Sequence, residues 1–587
     1  MGVALLLASV FTTSCEEMMS SLDNPVSSYL SVKEADVVVP TGDTYQIEIT
    51  SNINSDKPVT YKSSDEKVAT VDAKGLVTGV ADGEATITVA VEASDNYQAG
   101  EQKVQVAVKR PLTFEALEDG GINVNFYNSF VPEKPIVYSI NGGAKQEITS
   151  YTWIPVVKGD KVEFWSANER LTPSDWNWGL CIRPWTQCAV YGNVMSMISP
   201  DGNYHTNKTI TQPFALSGLL AGNTKWEEIP AGSGNWEIVG YYTINHDKYK
   251  LLLPATTLTE GCYYEMFYNT GIKEAPELPA TELAPYCYQW MFESCGNLKK
   301  APELPATELS EGCYGSMFYS CSSLEKAPAL PATTLALYCY QQMFRDCTSL
   351  TEAPALPAKT LKDNCYQNMF SNCTKLAKAP ALPATKLAPY CYGGMFYNCS
   401  SLTAAPALPA TTLANNCYEW MFESCTKLET APALPATTLA DYCYNGTFYN
   451  CTSLTEAPVL PATDLKQSCY AYMFYSCAKL SYLKCLAKNT EYRSVYAMLW
   501  DAGTDESVTT RTLERDPDTF WWIIPVGYVS SYSLYVNENW SVNPPYEAAS
   551  APKATSARAA SSVDKVELLK DFAPKREAYP TPVHKHM

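Results

Sequence analysis

Residues 287–309 read CYQWMFESCGNLKKAPELPATEL, and the chain returns to this phrase again and again. Copies start at Cys262, Cys287, Cys313, Cys339, Cys365, Cys391, Cys417, Cys443 and Cys469, 26 residues apart after a first interval of 25. A tandem period in the twenties with regularly placed leucines marks a solenoid, in which each coil buries its apolar side only by stacking on its neighbours. The flanks decay as terminal coils should. FALSGLLAGNTKWEEIP at 214–230 fits with Leu219 and Leu220 in the Met-Phe positions, and VYAMLWDAG from Val495 fits with Leu499 and Trp500 there.

The two cysteines of each copy invite three chemistries. Zinc is disfavoured, because the repeats contain no Cys-x-x-Cys, and the four histidines, His205, His246, His584 and His586, all lie outside them. A catalytic thiol needs a base beside it, and the repeats offer none in sequence. Disulfides within a copy are opposed by reach: a helix over YQWMFES would set Cys287 and Cys295 about 12 Å apart. Free cysteine behaves as a small buried hydrophobe, and Thr270 and Asn223 stand in its place in the outer copies, so packing is favoured, with inter-coil disulfides as the alternative. Cys181 and Cys188 in CIRPWTQC are either paired with each other or free. No metal or cofactor is implied.

Positions that do not repeat are released from packing. In the opening phrase these are Gln289, Trp290, Glu293 and Ser294. Across the repeats the aromatic ones, Trp290, Trp420, Tyr319, Tyr397, Tyr449 and Tyr475, are the candidate ligand contacts.

The 587 residues carry a net charge of -19, which argues against a nucleic-acid partner. Residues 29–110 alternate apolar and polar residues between glycine turns, as in VDAKGLVTGVADGEATITVAV from Val71, and predict a β-sandwich. Residues 111–205 predict a second β domain, with a tight turn at Asn141-Gly142. Residues 206–545 hold the repeats with their caps, and 546–587, rich in Ala, Ser, Pro and Lys, predict a disordered tail. The start, MGVALLLASVFTTSCEE, has an apolar run too short to span a bilayer, followed by Cys15.

Several of these stretches resemble known families. MGVALLLASVFTTSC resembles the signal and lipobox of bacterial lipoproteins, which implies residues 1–15 as a signal peptide, lipid on Cys15 and 16–28 as a linker. Glu16 and Glu17 resemble the surface-export signal of lipoproteins from Gram-negative gut anaerobes, implying an outer-membrane, cell-surface location with the lipid as the only membrane contact. VTYKSSDEKVATVDAKGLVTGVADGEATITV, residues 59–89, resembles the group 2 bacterial immunoglobulin-like domain. The repeats resemble the BspA-like leucine-rich repeat, with Leu402, Ala405, Leu408 and Pro409 in its strand positions and Cys417, Met421, Phe422 and Cys425 in its later apolar ones. The proline after the strand Ala leaves the strand length open, since proline cannot donate to a ladder.

The expected fold is therefore multidomain: all-β N-terminal modules, an Ig-like sandwich plus a second β domain, followed by an α/β leucine-rich-repeat solenoid of 26-residue repeats. The resemblance implies a non-enzymatic, surface-anchored adhesion protein presenting the solenoid to host protein or glycan. A carbohydrate-capture lipoprotein of a polysaccharide-uptake system is the alternative.

Overall fold

The computed structural model describes residues 29–40, 42–51, 57–81, 83–94, 97–173, 178–222, 224–228, 236–517, 523–525, 534–536 and 539–543. The expected signal peptide, linker and tail lie outside them. The chain divides into two compact units, Met1–Leu356 and Pro357–Met587.

The first unit begins with β1 (Leu30–Val32), β2 (Asp36–Val39), β3 (Thr44–Gln46), β4 (Ile49–Ser51), β5 (Thr60–Ser63), β6 (Ala69–Val71), β7 (Leu76–Gly79), β8 (Gly83–Val91) and β9 (Gly100–Val108). They form sheets β2-β9-β8-β5 and β3-β7-β6, with β1 paired to β4. Strict alternation drives this: Ala85, Ile87, Val89 and Val91 on β8 and Val104, Val106 and Val108 on β9 fill one core. The turn into β7 is set by Asp72, whose Oδ1 accepts from the Lys74 and Leu76 amides at 2.8 and 2.9 Å, and by Gly75 at φ +80°.

A second sandwich follows: β10 (Leu112–Ala116), β11 (Gly120–Phe126), β12 (Ile136–Ile140), β13 (Gln146–Ile148), β14 (Thr152–Val156), β15 (Lys161–Ser166), β16 (Leu180–Pro184) and β17 (Cys188–Asn193). Sheet β13-β12-β15-β10-β17 faces the smaller sheet β14-β11-β16. Phe114 and Phe164 meet edge to face at 5.8 Å in its core. Asn141 and Gly142 both take positive φ between β12 and β13. Cys181 and Cys188 fall on strands of different sheets and are both free; the Cys181 thiol donates to the Ala221 carbonyl instead. Beyond lie the hairpin β18 (Thr224–Glu228) and β19 (Trp236–Tyr241), then β20 (Thr243–Asn245) and β21 (Leu251–Leu252), which run parallel to β17.

The two sandwiches are joined by more than a covalent link. Arg110, at the end of β9, pairs with Asp43 of the first sandwich at 2.5 Å and lies 4.1 Å over the Tyr249 ring, whose hydroxyl donates to Asp43 at 2.8 Å.

The repeats correct the expected α/β solenoid. Among the described residues the single helical segment is the 3-10 turn Val194–Met197. The CYxxMFxxC stretch is a run of tight turns with positive φ at every fourth residue: Tyr286, Trp290 and Ser294, then Gly312, Ser316 and Ser320. Left-handed residues at that spacing break an α-helix. The amides take turns instead. Those of Gln289, Met291, Glu293 and Cys295 donate three residues back, while those of Tyr286, Tyr288, Trp290, Phe292 and Ser294 donate to carbonyls of the next coil. Each coil is thus hydrogen-bonded to its neighbour along its turns, where an α-helix would have spent those donors internally. The AP.LPAT side offers only isolated parallel bridges, such as Glu274↔Lys300, Lys300↔Lys326 and Lys326↔Glu352, because its prolines lack the donors for a ladder.

Inside the first unit the repeated side chains stack in columns. Tyr263, Tyr288, Tyr314 and Tyr340 follow one another at 5.7 to 5.9 Å, and Phe267, Phe292, Phe318 and Phe344 at 5.2 to 5.6 Å.

The second unit has the same coil. Asn364, Tyr366, Asn368, Phe370 and Asn372 donate to the next coil, and Phe370, Phe396, Phe422, Phe448 and Phe474 stack at 5.6 to 5.8 Å. Thr447 replaces the repeat methionine, and its hydroxyl donates to the Tyr418 carbonyl at 2.9 Å, so the buried polar group is satisfied. Where YLKC replaces the proline-bearing segment, a true parallel sheet appears: β22 (Tyr482–Cys485) pairs with β23 (Thr512–Arg515). The short pair β24 (Ile523–Pro525) and β25 (Leu534–Val536) follows, and β26 (Ser541–Asn543) joins β23. The trailing cap is one residue out of the expected register. The Phe474 amide donates to Met498, so Met498 and Leu499, both fully buried, hold the Met-Phe positions and Trp500 turns outward.

Candidate binding surface

Every described cysteine, twenty from Cys181 to Cys485, is free and buried. Burial pushes the Cys262 and Cys295 thiols up to about 12. The second thiol of each copy is also spoken for: Cys295, Cys321 and Cys347 donate to the Phe267, Phe292 and Phe318 carbonyls at 3.0 to 3.1 Å, and Cys399, Cys425, Cys451 and Cys477 repeat the contact in the second unit at 3.0 to 3.2 Å. These thiols are core, and no group of three or more metal-ligating side chains occurs among the described residues. Chemistry therefore has to be sought in the positions that vary.

Of the six aromatic candidates, Trp290 is misplaced by the sequence reading. It is 7% exposed, with its ring edge-on to Tyr264 at 5.2 Å in a cluster with Phe214. Phe214 of the leading coil and Tyr264 of the first copy pack around it, so Trp290 becomes an interior residue of the cap. Glu293 is likewise buried. It lies near Glu265, whose carboxylate accepts from the Trp178 indole at 2.6 Å, and burial pushes Glu265 up to about 7 and Glu293 up to about 8. Tyr319, in the same unit, is half-buried with the Arg345 guanidinium 5.5 Å over its ring.

The other four candidates lie in the second unit, and all are half-buried. Tyr449 and Tyr475 occupy the same position of successive coils and stack at 4.7 Å. Trp420 meets Tyr449 edge-on at 5.7 Å and reaches across the intervening coil to Tyr472 at 6.1 Å. Tyr397 sits at the Tyr449 position two coils earlier. The cluster also takes in Tyr472, a varying position beside the candidates, and three residues outside them: Tyr496, Trp500 and Arg493, whose guanidinium lies 5.0 Å over Tyr496. Burial, with Tyr449, Asp501 and Tyr496 around it, pushes the Tyr475 hydroxyl up to about 12, so it remains a neutral donor. The clue in the sequence was the frame of the last coil: with Met498 and Leu499 inward, Trp500 falls in line with Tyr475. Cys15 lies outside the described residues.

The described residues form two β-sandwich modules followed by coils built from turns, with a cluster of half-buried aromatics on the second unit. Residues 28–100 match the bacterial Ig-like domain (group 2), and residues 260–402 and 366–496 match the BspA type leucine rich repeat region in six copies. The chain thus contains BspA-type leucine-rich repeats and a group 2 bacterial Ig-like domain. No curated protein matches it.

Proposed function

We propose that this chain is a surface-displayed binding protein of the adhesion type, not an enzyme, that captures a protein partner on the aromatic face of its second unit. The observation that carries this is the Tyr449–Tyr475 stack with Trp420, Tyr472 and Arg493 around it. Tyrosine, tryptophan and arginine are the side chains that dominate binding energy at protein interfaces, because they bury much area at little entropic cost. Here the repeat backbone holds them rigid, which lowers the ordering cost further. BspA-type repeats are consistent with such a role.

Lipid on Cys15 supplies the anchor in this reading, placing the chain on the outer surface of the cell. Two measurements test it. Immobilised extracellular-matrix proteins (fibronectin, laminin, collagen) should retain the purified chain. Metabolic labelling with palmitate should mark the wild type and miss a Cys15→Ser variant; label on both, or on neither, would remove the anchor from the account.

A further inference from the structure

The sheet β14-β11-β16 of the second sandwich presents an outer face that the leading coil meets at the β16 end, where the Cys181 thiol donates to the Ala221 carbonyl, and that stays exposed at Trp153 on the β14 side. Ile122, Val124, Ile154 and Ile182 point inward to the core. Pleat parity therefore leaves Trp153, Asn123 and Arg183 side by side on the other face, as direct register partners. Trp153 is 47% exposed, and its indole lies across Gly121, where an added Cβ would come within 2.2 Å of the ring. Trp185, 54% exposed, flanks the same glycine by donating its amide to the Gly121 carbonyl at 2.9 Å. Between Trp153 and Arg183 sits Asn123, 6% exposed, whose Oδ1 has no hydrogen-bond partner among the described residues. Arg183 donates to the Tyr127 hydroxyl at 2.8 Å and packs over Trp178, while its buried Nε is also unpartnered among the described residues.

We propose that this face is a binding site for an uncharged saccharide. A buried acceptor left unpaired is destabilising, and a ligand that donates to it removes that cost. An occupant that relieves both features must combine a flat apolar surface with hydrogen-bond donors at its edge. A pyranose does so: its C–H face stacks on an indole while its hydroxyls donate to Asn123 Oδ1 and accept from Arg183. An aliphatic peptide side chain would cover Trp153 and Trp185 and leave Asn123 unsatisfied. A polyanion is opposed by the chain's net charge of -19. Gly121 matters because it alone lets the indole settle across the sheet and turn its free surface outward. The site lies on a different module from the solenoid face, so it stands or falls separately from the adhesion reading.

The test is a titration of the full chain with neutral hexasaccharides of glucose, mannose, galactose and xylose in α and β linkage, read by calorimetry and tryptophan fluorescence. At least one should bind saturably. Trp153→Ala should weaken that binding about tenfold or more, and Trp185→Ala and Asn123→Ala should weaken it too. Trp420→Ala, on the other unit, should leave it unchanged, and Trp153→Ala, at an exposed position, should melt like the wild type. Saturable binding by none of these saccharides, or binding undiminished by Trp153→Ala, would overturn the proposal.

Discussion

The Trp420 indole lies over Gly446, the left-handed corner of the next coil, where an added Cβ would meet the ring at 2.0 Å. Other coils hold the same left-handed corner with Trp290, Gln342 or Trp420 itself, so what makes it glycine here is the space the Trp420 ring takes on its way to Tyr472. The same pairing recurs in the first unit, with Tyr286 over Gly312 and Phe214 over Gly261. Gly446→Ala should cost at least the backbone penalty of about 1–2 kcal/mol and should lift Trp420 away from Tyr472. Denaturant melts and the Trp420 emission, isolated by comparison with Trp420→Phe, check both effects.

The thiol columns make a quantitative prediction. With every described cysteine buried, and Cys262 and Cys295 raised to about 12, a thiol reagent at pH 8 should find almost nothing to react with in the native protein. After denaturation, twenty thiols should appear from Cys181 to Cys485. A titre below about ten would mean inter-coil disulfides and would contradict the packing role.

The buried Glu265 and Glu293 make stability depend on pH. Their folded values, about 7 and about 8, lie above the ordinary 4.5, so the unfolded chain ionises first as pH rises. The stability these groups contribute is fully present below pH 4.5 and is lost as pH rises through 7 to 8. Melting temperature should therefore fall across that window, and Glu293→Gln, which removes the ionisation, should flatten the fall. An equally steep fall in the variant would assign it elsewhere.

Arg110 couples the two sandwiches through Asp43 and Tyr249. Asp43 is partly exposed, which screens the pair, so Arg110→Ala should cost less than the 3–5 kcal/mol of a fully buried pair. Its clearer signature should be in calorimetry, where the Ig-like sandwich is expected to melt ahead of the rest once Arg110 is gone.

What the sequence told, and what it hid, follow from the same physics. Alternation in β8 and β9 announces a sandwich because one side chain in two must be buried. The identity of Cys287, Met291, Phe292 and Cys295 in copy after copy announces a stacked interior. The turn geometry was hidden, because a CYxxMFxxC phrase has the apolar spacing of a helix, and only the inter-coil amides of Tyr288, Trp290 and Phe292 decide against one. Variation was a poor guide to exposure: Trp290 varies because the cap beside Phe214 needs a bulky residue, whereas Tyr449 and Tyr475 vary because they face outward. The pairing of Trp153 with Gly121 and Asn123 depends on register between strands far apart in sequence, which a single chain read along its length does not display.

The most direct test of the central claim is equilibrium binding of the purified chain to the immobilised extracellular-matrix panel, comparing wild type with Trp420→Ala, Tyr475→Ala and Arg493→Ala. Saturable capture by at least one protein is expected, with a loss of about tenfold or more in affinity for Tyr475→Ala or Trp420→Ala, the size expected of central aromatic contacts. Capture that all three variants retain in full, or no capture of any protein in the panel, would contradict that claim.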